Sequence, residues 1–282
     1  MTKDLLMSDI RFLVFDIETV PDGELISHIR YPKEELQPQQ AIEKYQKELL
    51  DKNGSDFVPH TYHLPVSVVI AKVNQAYELV DLVALDEQEG RPHIITQHFW
   101  KGWEKYQATL VTFNGRGFDI PVMELGAFRY GISLKRWFSL QSKSFNQPRN
   151  RYNLQSHFDV QDVLTNHGAS RMYGGLNLMA NLIGKPGKMD VAGDMVHQLY
   201  NEGNLQRIND YCRCDVLDTY FVFLRTSVLT GDLTLQDEQR IVRETRAWLE
   251  SKSDEFPIYR QYLENWGDWQ NPWEDQDLTP AG

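Results

Sequence analysis

Cys212 and Cys214 are the only two cysteines among 282 residues, and the single residue between them is too little for an unstrained mutual disulfide. A disulfide-stapled scaffold is excluded, and a reducing, cytoplasmic setting is expected. Apolar runs are short as well: none approaches the roughly 18 residues that a membrane-crossing helix needs. The opening MTKDLLMSDIR carries no secretory pattern, so no membrane association is expected. Positive charge is scarce, with 29 Lys and Arg against 40 Asp and Glu, a formal net charge of −11. That balance argues against a protein that holds nucleic acid by bulk attraction to a basic face. It leaves open an enzyme that grips a few nucleotides at one local site. Repeats and low-complexity tracts are absent too. A chain 41% hydrophobic and 24% charged has a globular composition, with length for one large domain or one domain plus an appendage.

Among the features that are present, the stretch Arg11 to Val20, RFLVFDIETV, organises the rest. Its apolar run Phe12 to Phe15 predicts a short buried strand, with Asp16 and Glu18 at the carboxyl end. Side chains alternate along a strand with period two, so these two carboxylates share a face. Like charges that close repel, and apolar surroundings add a desolvation cost. A shared cation removes both problems; a solvated strand end is the alternative.

Residues 22–60 interrupt the strand pattern and read as an insertion or flap, with a polar helix near Pro38 that ends at Asn53-Gly54. Pro65–Val73 and Tyr77–Leu85 predict a hairpin. A helical stripe follows over Ile94–Tyr106, with Trp100 and Trp103 assigned to the core. The strand Ala108–Phe113 runs into Asn114-Gly-Arg-Gly-Phe-Asp119 and then a helix to Tyr130. Asp119 there is either the helix cap or part of a site. Residues 135–155 mix cations with Trp137, Phe138, Phe145 and Tyr152, which suits single-stranded nucleic acid or an ordinary exposed loop. His157–Leu164 is apolar again. Helices are expected over Gly175–Ile183 and Asp194–Tyr200, joined by a loop whose Lys185 and Lys188 are candidate phosphate contacts. The helix from Leu205 to Leu224 stacks Tyr211 and Asp215 on one face. Cys212 and Cys214 lie about 200° apart around it and read as packing residues. After Gly231 comes a helical, Trp-rich extension expected to dock Trp266, Trp269 and Trp273 on the domain, with frayed last residues.

Asp16 and Glu18 in D-I-E-T, Asp119 in N-G-x-G-F-D, and Asp215 in Y-x-x-x-D recur in order at roughly 100-residue gaps. This set resembles the three exonuclease motifs of the DEDD superfamily of 3′→5′ exonucleases. Tyr211 points to the DEDDy branch, as in proofreading domains of family B DNA polymerases. The other branch would carry a histidine where Asp210 stands, and His157, His167 and His197 lack ligand spacing. Gly174 to Arg225 is also similar to a small bacterial family of predicted exonucleases related to that domain. The resemblance spans about residues 8–226 and implies a ribonuclease H-like α/β fold: a mixed five-stranded sheet with helices on both faces. A catalytic domain over 1–230 and the extension over 231–282 follow. It implies two divalent ions, Mg²⁺ or Mn²⁺, with Asp16 bridging both. Glu18 and Asp215 would complete the nucleophile-side ion, and Asp119 would support the other. Tyr211 would orient the attacking water, while Asn114, Phe118 and Lys188 would touch substrate. The expected reaction removes nucleoside 5′-monophosphates from the 3′ end of single-stranded DNA. RNA or short oligonucleotides as substrate, or a non-catalytic nucleic-acid-binding module, are the alternatives. The extension is a possible protein contact surface.

Overall fold

β1 (Ile10–Pro21) is buried on both sides, as the central strand of a two-faced sheet must be. Leu13, Phe15 and Ile17 face one layer of helices, while Phe12 and Val14 face the other. The protein is described by a computed structural model covering residues 10–189 and 193–273. Along the chain follow α1 (Gly23–Arg30), α2 (Pro38–Asn53), β2 (His63–Asn74), β3 (Leu79–Ala84), α3 (Pro92–Tyr106) and β4 (Thr109–Thr112). Next are α4 (Asp119–Arg129), α5 (Lys135–Phe138), β5 (His157–Asp159), α6 (Val160–Leu164) and α7 (Gly175–Leu182). The last helices are α8 (Val196–Asn201), α9 (Leu205–Thr230), α10 (Leu235–Lys252) and α11 (Pro257–Glu264).

The sheet order is β3-β2-β1-β4-β5. β1, β2 and β3 pair antiparallel, while β1, β4 and β5 pair parallel. This is the expected mixed five-stranded sheet of a ribonuclease H-like α/β fold. One face packs Phe99, Trp100, Trp103, Met123 and Trp137 from α3, α4 and α5. The other packs Leu217, Tyr220, Phe221 and Leu224 of α9.

The sequence places Asp16 and Glu18 after the first strand, but the strand runs on through both to Pro21. Its partner explains the difference: Asp16 pairs Val69 and Glu18 pairs Ser67 on β2. Backbone hydrogen bonding continues under charged side chains that a hydrophobicity pattern reads as an end. On its other edge, β1 pairs β4 only from Phe12 to Val14. The second half of β1 therefore has an open side, and this gap makes room for a site.

Segment 22–60 builds a satellite core of Ile26, Tyr31, Ala41, Ile42 and Tyr45, with Val58. α2 begins at Pro38 and stops at Gly54, whose left-handed φ of 72° closes it. α1 was not legible from periodicity; Asp22 caps it by accepting from the Leu25 N–H and also pairs with Arg129. The expected ring-and-cation surface over 135–155 loses Trp137, which is 1% exposed in the core. Arg149 there is paired with Glu124.

α10 and α11 share the core of α9 through Ile241, Leu249, Tyr259 and Tyr262. Trp266 packs on Phe221 and Trp269 lies beneath Arg225. Trp273 does not dock: it is 58% exposed. The acidic end beyond it lies outside the described residues. Among the described residues no helix is long and apolar enough to cross a membrane.

Candidate active site

Asp16 and Glu18 share the face of Phe12 and Val14, toward α9, where β1 has outrun β4. The chain leaves β4 at Thr112 and must cross that gap before α4 can begin. Asn114 takes a left-handed φ of 65° to make the turn. At Gly115 a Cβ would come within 2.6 Å of Thr112 side-chain atoms, so only glycine fits. The helix-cap alternative for Asp119 does not hold: the capping position is Phe118, and no side chain caps there. Asp119 opens the helix with its carboxylate turned to β1, where it receives the Ile17 N–H and lies against Asp16.

Asp159 ties this loop down. Its carboxylate accepts the backbone N–H groups of Asn114 at 3.0 Å and Arg116 at 2.8 Å, besides that of Asp162 at 3.3 Å. Arg116 in turn pairs with Asp162 at 3.1 Å. In the sequence Asp159 lies within the apolar stretch His157–Leu164 and belongs to none of the three motifs. Its position directly before a helix and three residues before Asp162 is an N-cap spacing that marks it locally. Asp159→Ala leaves three amides without a charged acceptor in a buried setting. A loss of about 2–4 kcal/mol in urea unfolding is expected, with Asp159→Asn in between.

From the opposite side, α9 presents Tyr211 and Asp215 one turn apart, the Tyr211 hydroxyl bonded to the Asp215 carboxylate. The four acids now lie in one another's field. Burial raises the Asp16 carboxyl well above the usual range, and the charges of Asp119, Glu18 and Asp215 raise it further. Glu18 is raised by burial, then by Asp215 and Asp119, with Lys188 partly offsetting. Asp119 is pushed up to about 7, mainly by burial. Asp215 rises to about 6 through burial, held down by the Tyr211 hydrogen bond and by Lys188. Tyr211 itself is raised far beyond its ordinary value by burial and by Asp215, which keeps its hydroxyl protonated. Lys188 is exposed, yet its charge reaches both Glu18 and Asp215.

Cys212 sits beneath the acids, its sulfur and single oxygens of Asp16 and Glu18 all within 4.8 Å of one another. The thiol is bonded to the Asp16 carbonyl at 3.4 Å. Burial, then the Asp16 and Glu18 charges, push it well above the usual thiol range, so it acts as a neutral packing group. Phe118 lies at the rim beside Phe57 at 5.8 Å and His63 at 5.6 Å. The His63 ring is fixed by Thr19 at 2.7 Å and the Val58 carbonyl at 3.0 Å. Nothing in their spacing flagged Phe57 or His63, because both come from a segment without a motif. Asn114 is exposed at the same edge.

Asp16, Glu18, Asp119 and Asp215 are hard oxygen donors, crowded, desolvated and short of positive charge. That donor set fits divalent ions such as Mg²⁺ or Mn²⁺. No curated protein matches the chain. A family model described as a predicted 3′-5′ exonuclease related to the exonuclease domain of PolB matches residues 55–266. That stretch carries Asp119, Lys188, Tyr211 and Asp215, while β1 with Asp16 and Glu18 precedes it. With more than half of its length matched, the chain belongs to this family of predicted 3′-5′ exonucleases related to the PolB exonuclease domain.

Proposed function

We propose that the protein hydrolyses the terminal phosphodiester at the 3′ end of single-stranded DNA and releases nucleoside 5′-monophosphates, using two divalent ions. The observation that supports this reading is the mutual electrostatic opposition of Asp16, Glu18, Asp119 and Asp215 where β1 outruns β4. These four would hold the ions, which when bound supply an activated water and stabilisation of the leaving oxygen. Tyr211, protonated and oriented by Asp215, hydrogen-bonds the attacking water and does not act as a base. Lys188 meets the scissile phosphate. Phe118, backed by Phe57 and His63, stacks a terminal base, and Asn114 contacts its sugar-phosphate edge. A net charge of −11 then fits recognition of a few nucleotides at this pocket, with the C-terminal extension as a surface for a protein partner.

The test offers 5′-labelled DNA and RNA oligomers of matched sequence with Mn²⁺ or Mg²⁺. A ladder of products shortened from the 3′ end, faster on DNA, is expected. Equal turnover of RNA would shift the substrate to nucleic acid in general. Binding without any cleavage would make the chain a non-catalytic module. Tyr211→Phe should lower single-turnover kcat by about 10- to 100-fold with little change in KM, the pattern of an interaction made in the transition state.

A further inference from the structure

The loop from Gly184 to Met189 brings Lys188 to Glu18 and Asp215, and much of what holds it there comes from the far end of the chain. α7 supplies one anchor: the Lys188 N–H donates to Asn177 Oδ1 at 2.9 Å. Gly187 has no room for a Cβ, which would meet Asn177 Oδ1 at 2.4 Å. The other anchors involve residues 262–269. The Gly187 backbone lies in the field of the Asp218 carboxylate, one turn beyond Asp215 on α9, whose Oδ2 has no hydrogen-bond partner among the described residues. Asp218 is fully buried, and its Oδ1 accepts the Tyr262 hydroxyl at 2.7 Å. Lys185, also buried, lays its ammonium over the Trp266 ring at 4.2 Å and the Phe221 ring at 5.1 Å. At Gly184 the loop backbone runs so close to that of Gly267 and Trp269 that a Cβ would sit 2.8 Å from both. A cavity of about 190 Å³ is lined by Tyr211, Asp215, Gly187 and Met189 together with Ile258 and Gln261 of α11.

We infer that α11 and the turn after it form the back wall of the active centre, with Tyr262, Asp218, Lys185 and Trp266 as positioning residues for Lys188. The inference rests on the reading of Lys188 as a phosphate contact and deepens it. A flexible lysine on an unbraced glycine-rich loop loses conformational freedom each time it meets a phosphate; a braced one has already lost it. Removal of the Tyr262 hydroxyl leaves Asp218 buried without its hydrogen bond, and the disturbance passes to Gly187 and Lys188.

The experiment is a double-mutant cycle on the full chain with Tyr262→Phe and Lys188→Ala, read in kcat and KM on a short DNA strand and in amide hydrogen exchange of residues 184–189. Lys188→Ala should raise KM about tenfold, the loss of one charge-assisted contact. Tyr262→Phe should raise KM about three- to fivefold, speed exchange across the loop about tenfold, and add nothing further when Lys188 is already alanine. Lys185→Met should give the same pattern. Unchanged loop exchange in both variants overturns the brace without any reference to activity. Faster exchange with effects that add fully in the two backgrounds overturns positioning through Lys188. If Lys188→Ala leaves both constants unchanged, the phosphate contact itself fails and the positioning role goes with it. In that case the nuclease assignment stands or falls separately, on whether the strand is shortened.

Discussion

Asp16→Asn is expected to stop 3′-end shortening, lowering kcat at least a thousandfold, while the metal-free protein becomes more resistant to heat. A thousandfold loss corresponds to about 4 kcal/mol of transition-state stabilisation. Both effects have one cause. The Asp16 carboxylate is opposed by its own burial and by the charges of Asp119, Glu18 and Asp215. An amide of the same size relieves that opposition and removes one of the carboxylates that would hold the proposed ions. Residual strand shortening in a highly purified variant, against Mn²⁺ affinity by calorimetry and a thermal melt at pH 8, is the check. An active variant removes Asp16 from the proposed chemistry. A variant that melts below the parent without metal removes the claim that the acids repel.

Heat resistance of the metal-free protein should fall as pH rises from 6.5 to 8.5. Asp119 at about 7 and Asp215 at about 6 hold protons that the unfolded chain has already released near 4. The folded state therefore binds more protons than the unfolded one across this interval. Stability that these groups contribute below pH 4 is lost as pH passes through their folded values. Asp218, pushed to about 7 chiefly by burial, adds to the slope. His63, lowered to about 4, and buried His157 work in the opposite sense until the unfolded imidazoles have lost their protons just above pH 6.5, and Lys185, lowered to about 8 by burial, opposes the slope across the whole interval. Asp16 and Glu18, raised by burial and by the neighbouring acids, add to the fall, so the net loss should be on the order of 1 kcal/mol. Added Mn²⁺ should stabilise more at pH 8.5 than at 6.5, since the ligands must be ionised to bind. A melting temperature that rises steadily with pH, or Mn²⁺ stabilisation that is largest in acid, contradicts this account.

The acids were readable because their chemistry leaves local marks: an i, i+2 pair on a strand, an aspartate after a glycine turn, and a tyrosine–aspartate pair one helical turn apart. The sheet was readable from β-branched runs and turn residues. Other features depend on partners distant in sequence. Asp159 acts on amides about 45 residues away, and Tyr262 acts on Asp218 from 44 residues away. No spacing rule reaches that far. The true length of β1 was hidden because β2, not side-chain polarity, sustains it. Trp137 sits among cations in a stretch that reads as a nucleic-acid contact or an exposed loop, and neither reading reveals that its indole bonds Glu124 of α4.

Only six residues separate the end of β4 at Thr112 from the start of α4 at Asp119, and they span the gap that β1 leaves open. Each residue in a helix turns its neighbour by about 100°. Shortening or lengthening the bridge by one would rotate Asp119 away from Asp16 and close or splay the pocket. Side chains along it can vary in chemistry, but its residue count works as a ruler. Insertions and deletions, more than substitutions, are what this stretch of the molecule cannot absorb.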